Sequence, residues 1–171
     1  MSQEQGPTLI FLNNMKVLFI SNDPTIFDAA SAARARMRAY AVAIGLPAQA
    51  GELHIVSSAS KDAREEQDGN LFLHPVHTWK IFRIRALAKR AHALILKKSI
   101  EVVSAQDPFE HGLAALRAVR GTSAKLHIQV HTDFLSPWFV KSGNWRSPRV
   151  RMPLLNRWRR RVADRVLPEA D

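Results

Sequence analysis

Short apolar runs that end in turn residues and alternate with amphipathic helical stretches constrain this chain more than any other feature. Residues 16–21 (KVLFIS) are apolar for the length of one strand and run into Asn22, Asp23 and Pro24, as expected of a strand buried on both faces. A helix is expected over 28–44, where Ala29, Ala33, Met37, Tyr40, Ala41 and Ile44 share one apolar face and Gly45 and Pro47 supply the stop. Residues 52–57 (ELHIVS) and 70–76 (NLFLHPV) read as further strands, separated by a charged loop, KDAREEQDG. A long basic helix is expected over 78–98, then a strand at 101–104 (EVVS), a helix over 108–120 and a strand at 126–131 (LHIQVH).

Strands alternating with helices imply an α/β fold: a Rossmann-like parallel sheet with helices on both faces and right-handed crossovers. Ligands of such sheets bind beyond the C-terminal ends of the strands, so SNDP, VSSAS, SAQDPFEHG and HTDFLSP are the segments expected to carry function. The third has two readings. Asp107 suits a helix N-cap, Pro108 the first helical position, and Glu110 completes a capping-box-like pair. The same helix N-terminus offers N–H groups and partial positive charge to an anionic ligand.

A chain of 171 residues with 46% hydrophobic content is expected to form one packed domain, here 15–166, with 167–171 as a tail. Residues 1–14 read as a dispensable extension without regular structure. There is no cysteine, which excludes a disulfide framework and a thiolate metal site. No apolar run approaches the roughly 18 to 20 residues of a membrane span, and the first residues lack the pattern of a secretory signal, so a cytoplasmic protein is expected. The net charge of +10 points to an anionic partner: nucleic acid, phospholipid headgroups or a phosphorylated substrate.

Several chemistries lack their residues. No two glycines lie two positions apart, so there is no dinucleotide fingerprint, and no Walker loop occurs. No DxD pair is present to hold a metal with a nucleotide sugar. His127 and His131, four residues apart on a strand, would be separated by roughly 13 Å, too far for one zinc ion. His74 and His77 are little better placed, and no metal site is expected.

The series MKVLFISND, DAASAARARMRAYA, ELHIVS, VVSAQDPFEHG and QVHTDFLSP resembles the N-terminal domain of family 4 retaining glycosyltransferases of GT-B architecture, across about residues 15–166. The resemblance implies one half of a two-domain enzyme. The N-terminal half mainly holds the acceptor, the C-terminal half binds the nucleotide-sugar donor, and no metal or other cofactor is needed. The chain stops at VADRVLPEAD, where the family would continue, so the donor-binding domain is expected to be absent and the chain to be a truncated, split or solitary half without activity alone. His131 matches the family's cleft histidine, and Asp133 follows in the HxD pattern; the structural alternative for His131 is a strand-end histidine bonded to a carbonyl. Gln106, Asp107 and His111 are candidate substrate contacts, and Asp28, Ser31 and Arg36 fit one branch of the family. The glycine-rich turn that many members place after the first strand is missing from SNDPTIFDAAS.

Two basic stretches have a membrane reading beside that of a solvated helix face. The first includes Arg83, Lys89 and Arg90; the second includes Trp145, Arg149, Arg151, Trp158 and Arg159. At roughly 1 kcal/mol per basic residue near an anionic surface, half of these charges would hold the domain at the inner face of the cytoplasmic membrane. The resemblance agrees, since many members glycosylate lipid-linked acceptors there. A nucleic-acid-binding module or a non-catalytic adaptor are the alternatives, and nucleic acid lacks its expected aromatic-basic interleaving.

Overall fold

The computed structural model describes residues 15–21, 23–45, 51–131, 133–136 and 151–171, the last segment with side chains from 154 onward. The extension at 1–14, Trp145 and Arg149 lie outside the described residues, as does the side chain of Arg151.

Among the described residues, six strands form one sheet: β1 (Lys16–Ser21), β2 (Glu52–Ser58), β3 (Glu66–Asp68), β4 (Leu71–Val76), β5 (Val102–Ala105) and β6 (Lys125–Ile128), in the order β3-β4-β2-β1-β5-β6. All neighbours are parallel except β3, which runs antiparallel to β4. The helices among the described residues are α1 (Ala32–Gly45), α2 (Arg83–Lys98), α3 (Glu110–Val119) and α4 (Arg151–Val166).

Alternate residues of each strand feed two cores. Leu18, Ile20, Val56, Val103, Ala105 and Leu126 pack under α2, α3 and α4. Val17, Leu53, Ile55, Leu71 and Leu73 pack against Ala33, Met37 and Ala41 of α1. The α1 face changes character along the sheet. Phe19 of β1 is in register with Ser104 of β5, and Ser104 with His127 of β6, so that face turns polar toward the β6 edge.

Several boundaries differ from expectation. The first helix begins at Ala32 rather than at 28, because a 3-10 turn (Pro24–Phe27) intervenes and Ser31 is the cap: its Oγ accepts from the Arg34 N–H at 3.0 Å. Tyr40, expected in the core, is exposed and meets Phe19 edge-on with centroids 6.4 Å apart. KDAREEQDG contains β3, which is held to α1 by Arg34. That fully buried guanidinium donates to Asp68 Oδ2 at 3.1 Å, to Glu66 and to the Ile26 carbonyl at 3.1 Å. The basic helix starts at Arg83 after a separate turn (Lys80–Phe82), since Trp79, Ile81 and Phe82 are exposed and no burial recruits them into the helix.

The helix expected over 108–120 starts at Glu110 instead, with Phe109 at its N-cap and no side-chain cap, because Asp107 Oδ1 closes the preceding turn by accepting from the Phe109 N–H at 2.7 Å and the His111 N–H at 3.3 Å; Pro108 therefore stands before the helix. The capping box does not form. Glu110 instead accepts from Arg159 of α4, at 2.8 Å from Nη2 and 3.1 Å from Nε. Gly112 lets α4 approach: a Cβ there would lie 2.8 Å from the Asp107 carbonyl oxygen and 3.1 Å from Val166 Cγ1. The last strand ends at Ile128 rather than at 131. The stretch read as a tail is tied to its edge, where the Asp171 N–H donates to the Leu126 carbonyl at 2.9 Å and the Leu126 N–H to Asp171 Oδ2 at 2.8 Å.

Candidate functional site

The C-terminal ends of β1, β5 and β6 lie side by side, so the segments after Ser21, Ala105 and Ile128 share one edge. Ser21 Oγ donates to Gln106 Oε1 at 2.9 Å and accepts from the Asp23 N–H at 3.1 Å, which stitches two of these tips together. Beyond β6 the Gln129 N–H still donates to the Ala105 carbonyl at 2.9 Å, continuing the extended geometry past the last strand residue.

Extended backbone puts residues two apart on one face, and His127, Gln129 and His131 exploit this. His131 Nε2 lies 3.1 Å from Gln129 Oε1, Gln129 Nε2 donates to Ser104 Oγ at 3.1 Å, and Ser104 Oγ lies 2.8 Å from His127 Nδ1. Because the Gln129 amide donates through its nitrogen, its oxygen is the acceptor for His131 Nε2–H. The His131 Nδ1 lone pair is then left for a hydroxyl donor. Phe134, buried and edge-on to Phe109 with centroids 5.9 Å apart, anchors the chain just after His131.

Arg36, Met37 and Tyr40 of α1 face this ladder across a cavity of about 380 Å³, whose other walls are Phe19, Gln106, Gln129 and His131. One cation, two amides, a phenol and an imidazole thus converge beside an apolar wall. That set can hold a polyhydroxylated ligand bearing a negative charge.

The remaining sequence candidates are engaged by the fold. Asp28 Oδ1 accepts from the Ala30 N–H at 3.0 Å, and Ser31 Oγ donates to the Thr25 carbonyl at 2.7 Å while capping α1. Asp107 closes the turn before α3 and bonds the buried His111 ring. Burial opposes its carboxylate charge, but the His111 ring and the two backbone N–H groups outweigh burial and hold its pKa below the usual carboxylate range. Asp133 Oδ1 accepts from the Ser136 N–H at 3.1 Å, closing a turn. Arg36, Gln106 and His131 are therefore brought together, and Asp28, Ser31, Asp107, His111 and Asp133 support the segments around them.

Gln129, Ser104 and Tyr40 are site residues that sequence reasoning missed. The QVH alternation carried the signal for Gln129, since it shares a face with His131; Ser104 needed the β5–β6 register, and Tyr40 the angle of α1. Of the basic residues, Arg90 pairs with Glu65 and Arg159 with Glu110, whereas Lys89 is exposed and Arg83 half-buried. Trp158 is partly exposed on α4. Among the described residues no helix is long and apolar enough to cross a membrane, and no three His, Asp or Glu side chains are grouped as metal ligands.

The sequence model of Glycosyltransferase Family 4 matches residues 35–168, well over half of the chain. Curated proteins give no match. Among solved structures, one described as a UDP-N-acetylglucosamine 2-epimerase from Listeria monocytogenes superposes with a TM-score of 0.50 at 11% identity, over 90% of this chain and 39% of that one. The likeness is one of fold, a Rossmann-like layer of GT-B type, and this chain spans about two fifths of that protein's length.

Proposed function

The chain belongs to Glycosyltransferase Family 4, and on that premise we propose that it forms the acceptor-side half of an enzyme moving a hexosyl group from a nucleotide sugar to a lipid-linked or polysaccharide acceptor. The observation that carries this reading is the convergence of Arg36, Gln106 and His131, from three separate parts of the sequence, on one cavity at the strand-end edge. Gln106 and Gln129 offer amides that match sugar hydroxyls, Phe19, Met37 and Tyr40 an apolar wall for a sugar ring, and Arg36 a cation for a phosphate. His131, its Nε2–H given to Gln129, accepts a hydroxyl proton at Nδ1 or orients that hydroxyl.

Transfer with retention and without a metal requires electrostatic stabilisation of the departing nucleoside diphosphate, which usually contributes most of the rate enhancement in such chemistry. In this reading those donors come from a C-terminal donor-binding domain that forms the other wall of the crevice, and the chain alone does not turn over. The nucleotide sugar is a co-substrate, and no cofactor is involved.

A peripheral position on the cytoplasmic face of a membrane is supported by Trp79, Ile81 and Phe82. They are 79%, 81% and 57% exposed in the turn that follows β4, on the same edge of the sheet as the cavity, with Lys80 and Arg83 between and beside them. Exposed aromatic and basic side chains in one turn suit a headgroup region better than water.

Saturation-transfer NMR on the chain, with oligosaccharides and detergent-solubilised glycolipids as ligands, tests the site directly. Acceptor-class sugars are expected to bind, and Arg36→Ala with His131→Ala to abolish the signal. Unchanged binding by that double variant, or preference for oligonucleotides over every glycan, defeats the reading.

A further inference from the structure

On the face of the domain opposite α1, the groove between α2 and α3 gathers cations away from the strand-end cavity. Arg85, Lys89 and His92 follow one another at helical spacing along α2, and Arg117 approaches from α3 across a space of about 360 Å³ floored by Ala88. Among the described residues, Arg85, Lys89 and Arg117 have no carboxylate within ion-pair distance. Like charges at adjacent turns repel, so this arrangement is unfavourable until an anion enters it. Arg90, on the neighbouring side of the same helix, is by contrast neutralised by Glu65.

The end of α3 does not oppose such an anion as a bare helix C-terminus would. The Ala118 carbonyl accepts from His92 Nδ1 at 2.7 Å, and the Val119 carbonyl accepts from Thr122 Oγ1 at 2.7 Å and from the Thr122 N–H at 3.0 Å. The bond to Ala118 also fixes the His92 ring.

We infer that this groove is a second anion site, taking a phosphate group between the Arg85 and Arg117 guanidinia with Lys89 as a further cation. Guanidinium groups bind phosphate through paired N–H donors, and two from different helices with a lysine between them suit a phosphate better than a carboxylate. The phosphate belongs either to a soluble phosphate ester or to a lipid headgroup, and the two are separable.

The full chain, isotopically labelled, is titrated with inorganic pyrophosphate at low ionic strength and followed by backbone amide shifts, and in parallel is floated with vesicles of phosphatidic acid in phosphatidylcholine. Saturable binding is expected, with amide shifts at 85–92 and 115–119. R85Q/R117Q should weaken it about tenfold or more, the loss of a charge-assisted hydrogen bond or two. R161Q/R165Q removes the same charge from exposed positions on α4 and should leave it unchanged. Binding of pyrophosphate identifies a soluble ligand; binding of vesicles alone that R85Q/R117Q weakens identifies a headgroup in this groove, and vesicle binding unchanged by R85Q/R117Q overturns it. Absence of binding to both probes, or equal weakening by the two double variants, overturns the proposal.

Discussion

His74 Nε2 lies 3.0 Å from His54 Nδ1 within the sheet, and both rings are buried. His54 Nε2 is 2.9 Å from Glu52 Oε2, so its proton sits there and Nδ1 must accept from His74. His74 Nδ1 is left facing Arg90 Nη2 at 3.4 Å, with Glu65 Oε2 at 3.5 Å beside it. One direction of donation, from Arg90 through both imidazoles to Glu52, satisfies the whole row, and it requires both rings to be neutral.

This row predicts a pH-dependent stability. Burial, with the repulsion a protonated His54 would add and the Lys98 charge, lowers the His74 pKa from 6.5 to about 4. The unfolded chain therefore takes up a proton near pH 6.5 that the folded chain refuses until about pH 4, so stability is complete above the first value and declines between them. The shift corresponds to a loss on the order of 3 kcal/mol. Urea titrations from pH 7 to 5 should show the early part of this decline, where carboxylates contribute little, and His74→Gln should flatten it.

Arg34 predicts a second loss. Burial alone would lower its pKa, but Glu66 and Asp68 outweigh burial and raise it, keeping the guanidinium charged inside the fold. Arg34→Met leaves the Ile26 carbonyl without this donor and leaves β3 tied to α1 through the Arg38–Asp68 pair. Because both carboxylates are partly exposed and can rehydrate, the expected cost is roughly 2–3 kcal/mol rather than that of a fully buried pair. Urea denaturation gives the magnitude, and hydrogen exchange should rise first over 66–73.

Gly112→Ala should destabilise by about 1–3 kcal/mol, because the new methyl meets backbone at the Asp107 carbonyl as well as the Val166 side chain. Loss should appear in thermal unfolding together with earlier proteolysis of α4.

His131→Ala, in the assembled enzyme, should lower kcat/KM by roughly 100-fold, the low end for removal of a positioned acid–base group. Gln129→Leu removes the acceptor that fixes the ring and should give a smaller loss with an altered pH profile, whereas Gln129→Glu, which keeps an acceptor oxygen, should retain most activity. Identical kinetics in all three would exclude the cavity from catalysis.

Trp79→Ser combined with Phe82→Ser should release the chain from anionic vesicles at a lower salt concentration than wild type while leaving thermal stability unchanged, because both rings are solvent-exposed. Sedimentation against increasing salt measures this; unchanged retention would detach the turn from any membrane role.

Much of the architecture was legible because the patterns are local. KVLFIS became β1 with the expected bounds, and the apolar spacing of Ala33, Met37 and Ala41 became the buried face of α1. β3 was unreadable because its pairing with β4 and its anchor on Arg34 are made by groups distant in sequence, and nothing inside KDAREEQDG announces them. Glu110 was misassigned for the same reason: a residue 49 positions away competes successfully for its carboxylate.

Hydrophobic periodicity and turn chemistry, which act over a few residues, determined the strands, most of the helices and the edge on which polar loops would gather. Tertiary structure alone decided how each polar group on that edge is used. Backbone N–H groups and neighbouring rings engage the oxygens of Asp28, Asp107 and Asp133, while strand register and the angle of α1 turn Arg36, Gln106, Gln129 and His131 into a shared cavity. A side chain bonds whichever partner the packed fold brings within about 3 Å, and that distance is set by pairings between segments far apart along the chain.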